Sequence, residues 1–324
     1  MSQAIVFSQT GGPDVLSLQS LPLGKIGPGQ VHLRHTAIGV NFIDTYQRSG
    51  LYPTPLPSGL GSEAAGVVAA VGEGVSWLKP GDRVAYAGGP LGAYCDERII
   101  DARHLLRLPD GIDDEAAACM MLQGMTVEYL VQRCSPLRPG MTVLWHAAAG
   151  GVGQIAVQWL RAMGVTVIGT VGSEEKAALA RELGCPHVIN YRSEDVAARV
   201  REITGGQGVP VVYDSVGKDT FEISLACLAP RGIFVSFGNA SGAVPAFAPL
   251  ELTSRGSLFF TRPKLGDYIA SRAELEASAQ ALFQRVLDGA IRIAPSHRYP
   301  LAEAARAHRD LEARRTTGSL ILLP

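Results

Sequence analysis

The stretch Val143–Met163, VLWHAAAGGVGQIAVQWLRAM, constrains this chain more than any other. Its opening apolar run at Val143 and Leu144 predicts a buried parallel strand, and the small residues that follow leave no side chain large enough to keep a ligand away. From Val152 the apolar positions fall at Val152, Ile155, Ala156, Trp159, Leu160 and Met163, the spacing of a helix buried on one face. Strand, glycine turn and helix in that order make an anion site, because the first-turn amides lack intrahelical partners and sit at the positive end of the helix dipole. The loop Ala148-Ala149-Gly150-Gly151-Val152-Gly153 reads A-x-G-x-x-G, with alanine where the usual fingerprint has its first glycine. In this setting the pattern predicts dinucleotide binding through Gly150, Gly151 and Val152; a purely structural glycine turn is the alternative.

The fingerprint also calls for an acidic residue about 20 positions on, at the tip of the second strand. Here the strand Val165–Val171 runs into Gly172-Ser173-Glu174-Glu175-Lys176, with no Asp or Glu at the tip itself. Gly172, Ser173 and Lys176, with Tyr191 after the next strand, are therefore candidates to hold a 2′-phosphate, which predicts NADPH as the cofactor. Two hydrogen bonds to a charged group at about 1.5–3 kcal/mol each favour NADPH over NADH by roughly a hundredfold. Glu174 and Glu175 work against that assignment. The plain alternative makes Lys176 a solvated helix residue and Tyr191 the edge of a core.

Composition bounds the rest. A chain of 324 residues exceeds the usual size of one domain, so two are expected. No apolar run nears the ~18 residues of a membrane span, and the start MSQAIVFSQTGG lacks the basic and apolar regions of a signal peptide. Formal net charge is −1 with Lys and Arg scattered, which offers nucleic acid no electrostatic footprint. The five cysteines, Cys95, Cys119, Cys134, Cys185 and Cys227, form no C-x-x-C pair, as suits reduced thiols. A soluble cytoplasmic protein without membrane or nucleic-acid partners is expected.

Residues 1 to about 110 read as short strands broken by Gly-Pro, Pro-Gly and Gly-Gly turns, an antiparallel barrel-like unit. Asp113 or Asp114 is a candidate cap for a helix running to Met121, and Thr126–Cys134 continues helically until Pro136. From Thr142 strands at 143–146, 165–170, 187–190, 210–213, 232–237 and 257–261 alternate with helices at 152–163, 174–183, 194–203 and 219–228. That is the pattern of an α/β fold with a doubly wound parallel Rossmann sheet. A long helix Arg272–Leu287, a helix Ala302–Arg314 and the run Leu320-Ile321-Leu322 return the chain to the first unit. The division predicted is 1–125 with 265–324 as a β-rich catalytic domain, and 126–264 as the NADPH-binding domain. The cleft between domains is the default place for an active site.

Gly39-Val40-Asn41-Phe42-Ile43-Asp44-Thr45-Tyr46, Leu51-Tyr52-Pro53, Gly61-Ser62-Glu63-Ala64-Ala65-Gly66, His146–Gly153 and Val235-Ser236-Phe237-Gly238-Asn239 together resemble the medium-chain dehydrogenase/reductase superfamily, in its NADPH:quinone oxidoreductase branch of the zeta-crystallin type. The likeness spans essentially the whole chain and implies a GroES-like first domain. Zinc alcohol dehydrogenases of that superfamily hold metal at positions occupied here by Asn41, Ser62 and Gln123. None of these supplies the thiolate or imidazole that zinc prefers, so no metal is expected. Without a Lewis acid for a developing alkoxide, electron-poor quinones or enones become the expected substrates, reduced by direct hydride or stepwise electron transfer.

The resemblance also implies roles. Phe42, Asp44 and Tyr46 lie against the nicotinamide end of the cofactor, and Asn41 and Tyr52 shape the substrate pocket. Tyr46 or Tyr52 is a candidate donor to the quinone oxygen, though a loop tyrosine is as often packing, and Asp44 has the alternative of bonding turn amides. Thr126 and Tyr129 are expected at the nicotinamide ribose and phosphates, with Tyr129 otherwise a core residue. Gly238, Asn239 and Ser241 follow a strand whose C-terminal end opens toward a cofactor. Pro263, Leu265 and Arg314 are implied by the family alone. His146 beside the glycine loop is read as a satisfied structural histidine. The apolar run Gly256–Thr261 reads as an edge strand too apolar to stay exposed, which predicts a homodimer paired across it. The rivals are an NADPH-dependent alkenal or enone reductase and a non-catalytic nucleotide-binding protein.

Overall fold

The structure, a computed structural model, describes all 324 residues. The chain divides into two compact units: Met1–Met125 with Ile269–Leu287 and Ile293–Pro324, and Thr126–Tyr268 with Asp288–Arg292.

The second unit is built on six parallel strands in the order His187–Asn190, Thr166–Val171, Thr142–Trp145, Val209–Asp214, Leu228–Ser236 and Phe259–Thr261. Numbered along the chain that order is 3-2-1-4-5-6, the doubly wound nucleotide-binding arrangement. Order reverses between Thr142–Trp145 and Val209–Asp214, and the loops after those strands flank the switch point where such sheets bind ligands. The central strands are buried on both faces, as continuous apolar runs such as Val143-Leu144-Trp145 require. Leu144, Ile168, Ile189, Val212 and Phe234 form the middle of the core, extended by Phe221, Phe247 and Phe260 packed ring against ring.

The first unit carries a seven-stranded sheet centred on the long strand Gln30–Val40 and a three-stranded sheet of Ser17–Leu21, Ser2–Phe7 and Ser58–Gly59. The last strand, Ser319–Leu323, pairs antiparallel with the end of Gln30–Val40, placing Leu320 opposite Val40. This pairing carries the end of the chain back beside residues 39–41. No helix is long and apolar enough to cross a membrane.

Three local expectations change. The helical stretches foreseen before Met121 and after Thr126 are one helix, Asp114–Tyr129, running into a π-type turn at Leu130–Cys134. Gly124 does not break it; a Cβ there would stand 2.5 Å from Leu282 Cδ1, so this glycine serves close packing rather than a turn. Asp113 is the cap, its Oδ1 accepting from the Ala116 amide at 2.7 Å. The strand foreseen from Ser257 begins at Phe259, because Ser257 takes a left-handed φ of 58°. The helix foreseen to Arg314 stops at Glu312, and Arg314 sits in a left-handed turn with φ 57°.

Candidate active site

The glycine loop is set by its neighbours on the sheet. The Ala148 amide donates to Thr170 O at 3.0 Å and the Gly150 amide to Ala147 O at 2.9 Å, which leaves Gly150 as the cap of helix Gly151–Ala162. A Cβ on Gly153 would lie 2.3 Å from Ala147 O and 2.7 Å from Ala148 O, so the helix approaches the loop only because that residue has none. The alanine in place of the first fingerprint glycine is explained one strand away. A Cβ on Gly169 would come within 2.7 Å of Ala148 Cβ, so the missing glycine has in effect moved to the adjacent strand. The amides of Gly151, Val152 and Gly153 begin the helix without intrahelical acceptors, the requirement for holding a pyrophosphate.

His146 is buried beside this loop, with Nδ1 3.0 Å from Thr170 Oγ1 and Nε2 3.1 Å from Ser224 Oγ. Ser224 gives its only hydrogen to Asp214 Oδ2 at 2.8 Å, so His146 Nε2 carries the proton and Nδ1 accepts from Thr170. Burial lowers the ring's basicity. Each polar atom is matched and none is open to a ligand: the histidine is structural. Asp214 anchors the group, accepting from the Val216 and Gly217 amides at 2.7 and 3.0 Å and from Thr220 Oγ1 at 2.6 Å.

Four residues foreseen as a phosphate pocket come together at the end of the second strand. Ser173 caps helix Glu174–Glu182 by accepting from the Lys176 amide at 3.3 Å, which leaves its hydroxyl hydrogen to donate. A Cβ on Gly172 would lie 2.4 Å from Tyr191 Oη, so the tyrosine covers that glycine. Glu174 Oε1 is drawn aside by the Asn190 side-chain amide at 2.9 Å. On the other side of the switch point, Ser241 Oγ donates to Val216 O at 2.9 Å and accepts from the Asp219 amide at 3.0 Å. Its hydroxyl fastens two loops together, whereas Gly238 lets them approach: a Cβ there would be 2.4 Å from Ser215 O. Asn239 is buried beside it. Tyr129 is buried and stacked on Tyr268 with ring centroids 4.4 Å apart, the packing alternative foreseen for it. Thr126 and Pro263 are half-buried and Leu265 buried, while Arg314 is exposed and belongs to the first unit.

In the first unit, Phe42, Tyr46 and Tyr52 form one aromatic group, Tyr46 lying 6.4 Å from Phe42 and 5.3 Å from Tyr52 between centroids. Asn41, just before helix Phe42–Ser49, starts a buried polar chain. Its Nδ2 donates to Glu63 Oε1 at 2.7 Å and its Oδ1 accepts from Gln123 Nε2 at 3.1 Å. Asp44 does bond a turn amide, accepting from Asn41 N at 2.8 Å, and it also accepts from Tyr94 Oη at 2.9 Å. Tyr94 leads to His308 at 3.1 Å, and His308 to the buried Arg48, which is paired with Glu312 at 2.6 Å. Sequence reasoning missed Glu63, Tyr94, His308 and Arg48. For Glu63 a signal exists: it is a lone acid opening the otherwise apolar strand Glu63–Val71.

Burial sets the charge state of this group. It pushes the Asp44 carboxyl up to about 7 and Glu63 up to about 8. Asp44 Oδ1 has no hydrogen-bond partner, as fits a neutral acid. Burial pushes His35 down to about 4 and His308 to about 3. The histidines' contribution to stability is complete above roughly pH 6.5 and is lost as pH falls through those lower values. The carboxyls' contribution is complete below roughly pH 4 and is lost as pH rises through 7 and 8. Between pH 6.5 and 8 only the carboxyls act, so urea melts across that window are expected to show falling stability, with a flatter profile in Glu63→Gln.

Two of the three positions that would carry zinc are thus tied to each other by an amide–amide hydrogen bond. The third, Ser62, offers a hydroxyl, and nowhere do three His, Cys, Asp or Glu side chains gather as metal ligands. This donor set does not fit zinc.

Comparison with known proteins agrees with the two-part architecture. A family profile described as an alcohol dehydrogenase GroES-like domain matches residues 27–134, and one described as a zinc-binding dehydrogenase matches 151–282. A quinone oxidoreductase of Pseudomonas aeruginosa is 56% identical over the whole of both chains. A 2-haloacrylate reductase of a Burkholderia species is 49% identical, covering 100% of this chain and 99% of its own. The crystal structure of Escherichia coli quinone oxidoreductase complexed with NADPH superposes with a TM-score of 0.97 at 49% identity, covering all of both chains.

Proposed function

The chain belongs to the zinc-independent quinone oxidoreductases of the medium-chain dehydrogenase/reductase superfamily, and from that premise we propose that it reduces quinones with NADPH. The observation that carries this reading is the Asn41–Gln123 bridge, 3.1 Å long, at the positions of a zinc site. With amides there, no zinc is held to stabilise an alkoxide, which favours an acceptor that is already electron-poor, as a quinone is.

In this reading the second unit is the nucleotide domain. The amides of Gly151, Val152 and Gly153, capped by Gly150, hold the pyrophosphate, Ser173, Lys176 and Tyr191 hold the 2′-phosphate beside Gly172, and Gly238 and Asn239 edge the site. The cradle fits, because the close approach to the loop depends on a Gly153 that cannot carry a Cβ. Bound NADPH supplies the hydride. The first unit is the catalytic domain: Phe42 and Tyr46 exclude water, and Asn41 with Tyr46 or Tyr52 donates hydrogen bonds to the quinone oxygen as charge develops there. Asn41 retains a donor for this, since only one of its two Nδ2 hydrogens is engaged. Lys176→Ala is expected to raise the Kd for NADPH about tenfold or more while leaving that for NADH within about twofold, readable by fluorescence titration.

A specific likeness favours a second reading, reduction of an activated carbon–carbon double bond: the 49% identical 2-haloacrylate reductase. The deciding experiment compares kcat/KM on 1,4-benzoquinone, an alkenal and a haloacrylate. A value at least tenfold higher on the quinone supports the first reading, and the reverse order supports the second.

We place the protein in the cytoplasm, supported by five cysteines that are all free. We also assign it as a homodimer. The support is Phe259, 60% exposed on the edge strand of the six-stranded sheet, which a second copy would cover. Phe259→Lys should shift sedimentation toward the monomer, and a wild type that stays monomeric at all concentrations contradicts the assignment.

A further inference from the structure

The polar chain at Asn41 is longer than quinone binding requires, and it runs in one direction. Ser319 Oγ donates to Gln123 Oε1 at 2.9 Å, Gln123 Nε2 to Asn41 Oδ1 at 3.1 Å, and Asn41 Nδ2 to Glu63 Oε1 at 2.7 Å. Glu63 Oε2 accepts the Leu122 amide at 2.6 Å, so both its oxygens face N–H donors. The four side chains come from four places in the fold: the last strand, helix Asp114–Tyr129, the residue before helix Phe42–Ser49, and the strand Glu63–Val71. All four are buried.

A carboxamide presents oxygen on one side and NH2 on the other, and it takes the orientation its neighbours permit. Ser319 alone does not fix that orientation, because a hydroxyl both donates and accepts. The ionised carboxyl does, because both its oxygens then accept, one from the Leu122 amide and one from Asn41 Nδ2, and these two hydrogen bonds favour the charged form against burial. We propose that Glu63 is a positioning residue for the reduction, holding the Asn41 carboxamide with Nδ2 toward Glu63 so that its second hydrogen remains for the acceptor oxygen. The inference rests on the reading of Asn41 as a donor to that oxygen. A glutamine at position 63 fills the same volume but breaks the pattern. Keeping the Leu122 bond turns its NH2 toward Asn41, which must then roll over and take Gln123 with it.

The test measures kcat and KM for 1,4-benzoquinone at saturating NADPH in Glu63→Gln, Asn41→Ala and the double variant, with the Kd for NADPH of each. Asn41→Ala and Glu63→Gln are each expected to lower kcat by roughly 10- to 100-fold with the Kd for NADPH within about twofold, and the double variant to lose no more than Asn41→Ala alone. A wild-type kcat in Glu63→Gln, or losses that multiply in the double variant, overturns the proposal. A wild-type kcat in Asn41→Ala removes the donor reading first and the positioning role with it, an outcome that single variant reports separately. Should Glu63→Gln fail to fold, Glu63→Asp draws the carboxyl back by one methylene from Asn41 Nδ2. A kcat loss of roughly threefold or more, absent in the Asn41→Ala background, supports the proposal; an unchanged kcat overturns it.

Discussion

Gly153→Ala is expected to weaken NADPH binding by roughly a hundredfold or more while leaving the first unit folded. The added Cβ would stand 2.3 Å from Ala147 O and 2.7 Å from Ala148 O, both backbone atoms that no side-chain rotation moves. Helix Gly151–Ala162 must therefore withdraw from the loop, and its first amides with it. Two charge-assisted hydrogen bonds lost at about 1.5–3 kcal/mol each account for a hundredfold or more in affinity. Titration of the nicotinamide fluorescence, with circular dichroism to show the fold retained, checks it. The same substitution at Gly150, where a Cβ would meet only Ala147 O at 3.2 Å, should cost far less.

Asp214→Ala is expected to be the most destabilising single change in the second unit, by about 4 kcal/mol. The carboxylate is fully buried and accepts from two backbone amides and two hydroxyls, one of which passes the bond on to His146. Truncation leaves four buried donors without an acceptor, at about 1–3 kcal/mol for each that finds no substitute. A melting temperature lower by roughly 5–10 °C follows, seen by calorimetry. Asp214→Asn should lie between, since the amide oxygen still accepts on one side.

The sequence-level reading was strong where chemistry and periodicity coincide. The strand–loop–helix at Val143–Met163 announced the sheet, and the alternating elements announced that it is parallel and doubly wound; the strand order came from the structure. Gly172, Ser173 and Lys176 are close because they are near neighbours in the chain, and Tyr191 joins them by covering Gly172. What stayed hidden depends on residues far apart. No spacing rule joins Glu63 to Asn41, or Arg48 to Glu312 across 264 positions. The first contact follows from the antiparallel pairing of Gln30–Val40 with Glu63–Val71, and the second from helix Ala304–Glu312 returning to the first unit. Ser241 shows the limit in another form: its place in a loop was legible, but whether its hydroxyl serves a ligand or a neighbouring loop depended on where Val216 and Asp219 lie.

The central claim is met most directly by following NADPH absorbance in a mixture of chelator-treated protein and 1,4-benzoquinone, with NADH as the comparison. The account predicts rapid oxidation of NADPH, at least tenfold slower oxidation of NADH, and no change when zinc is restored. Oxidation no faster than the protein-free rate, or activity that appears only on adding zinc, would contradict it.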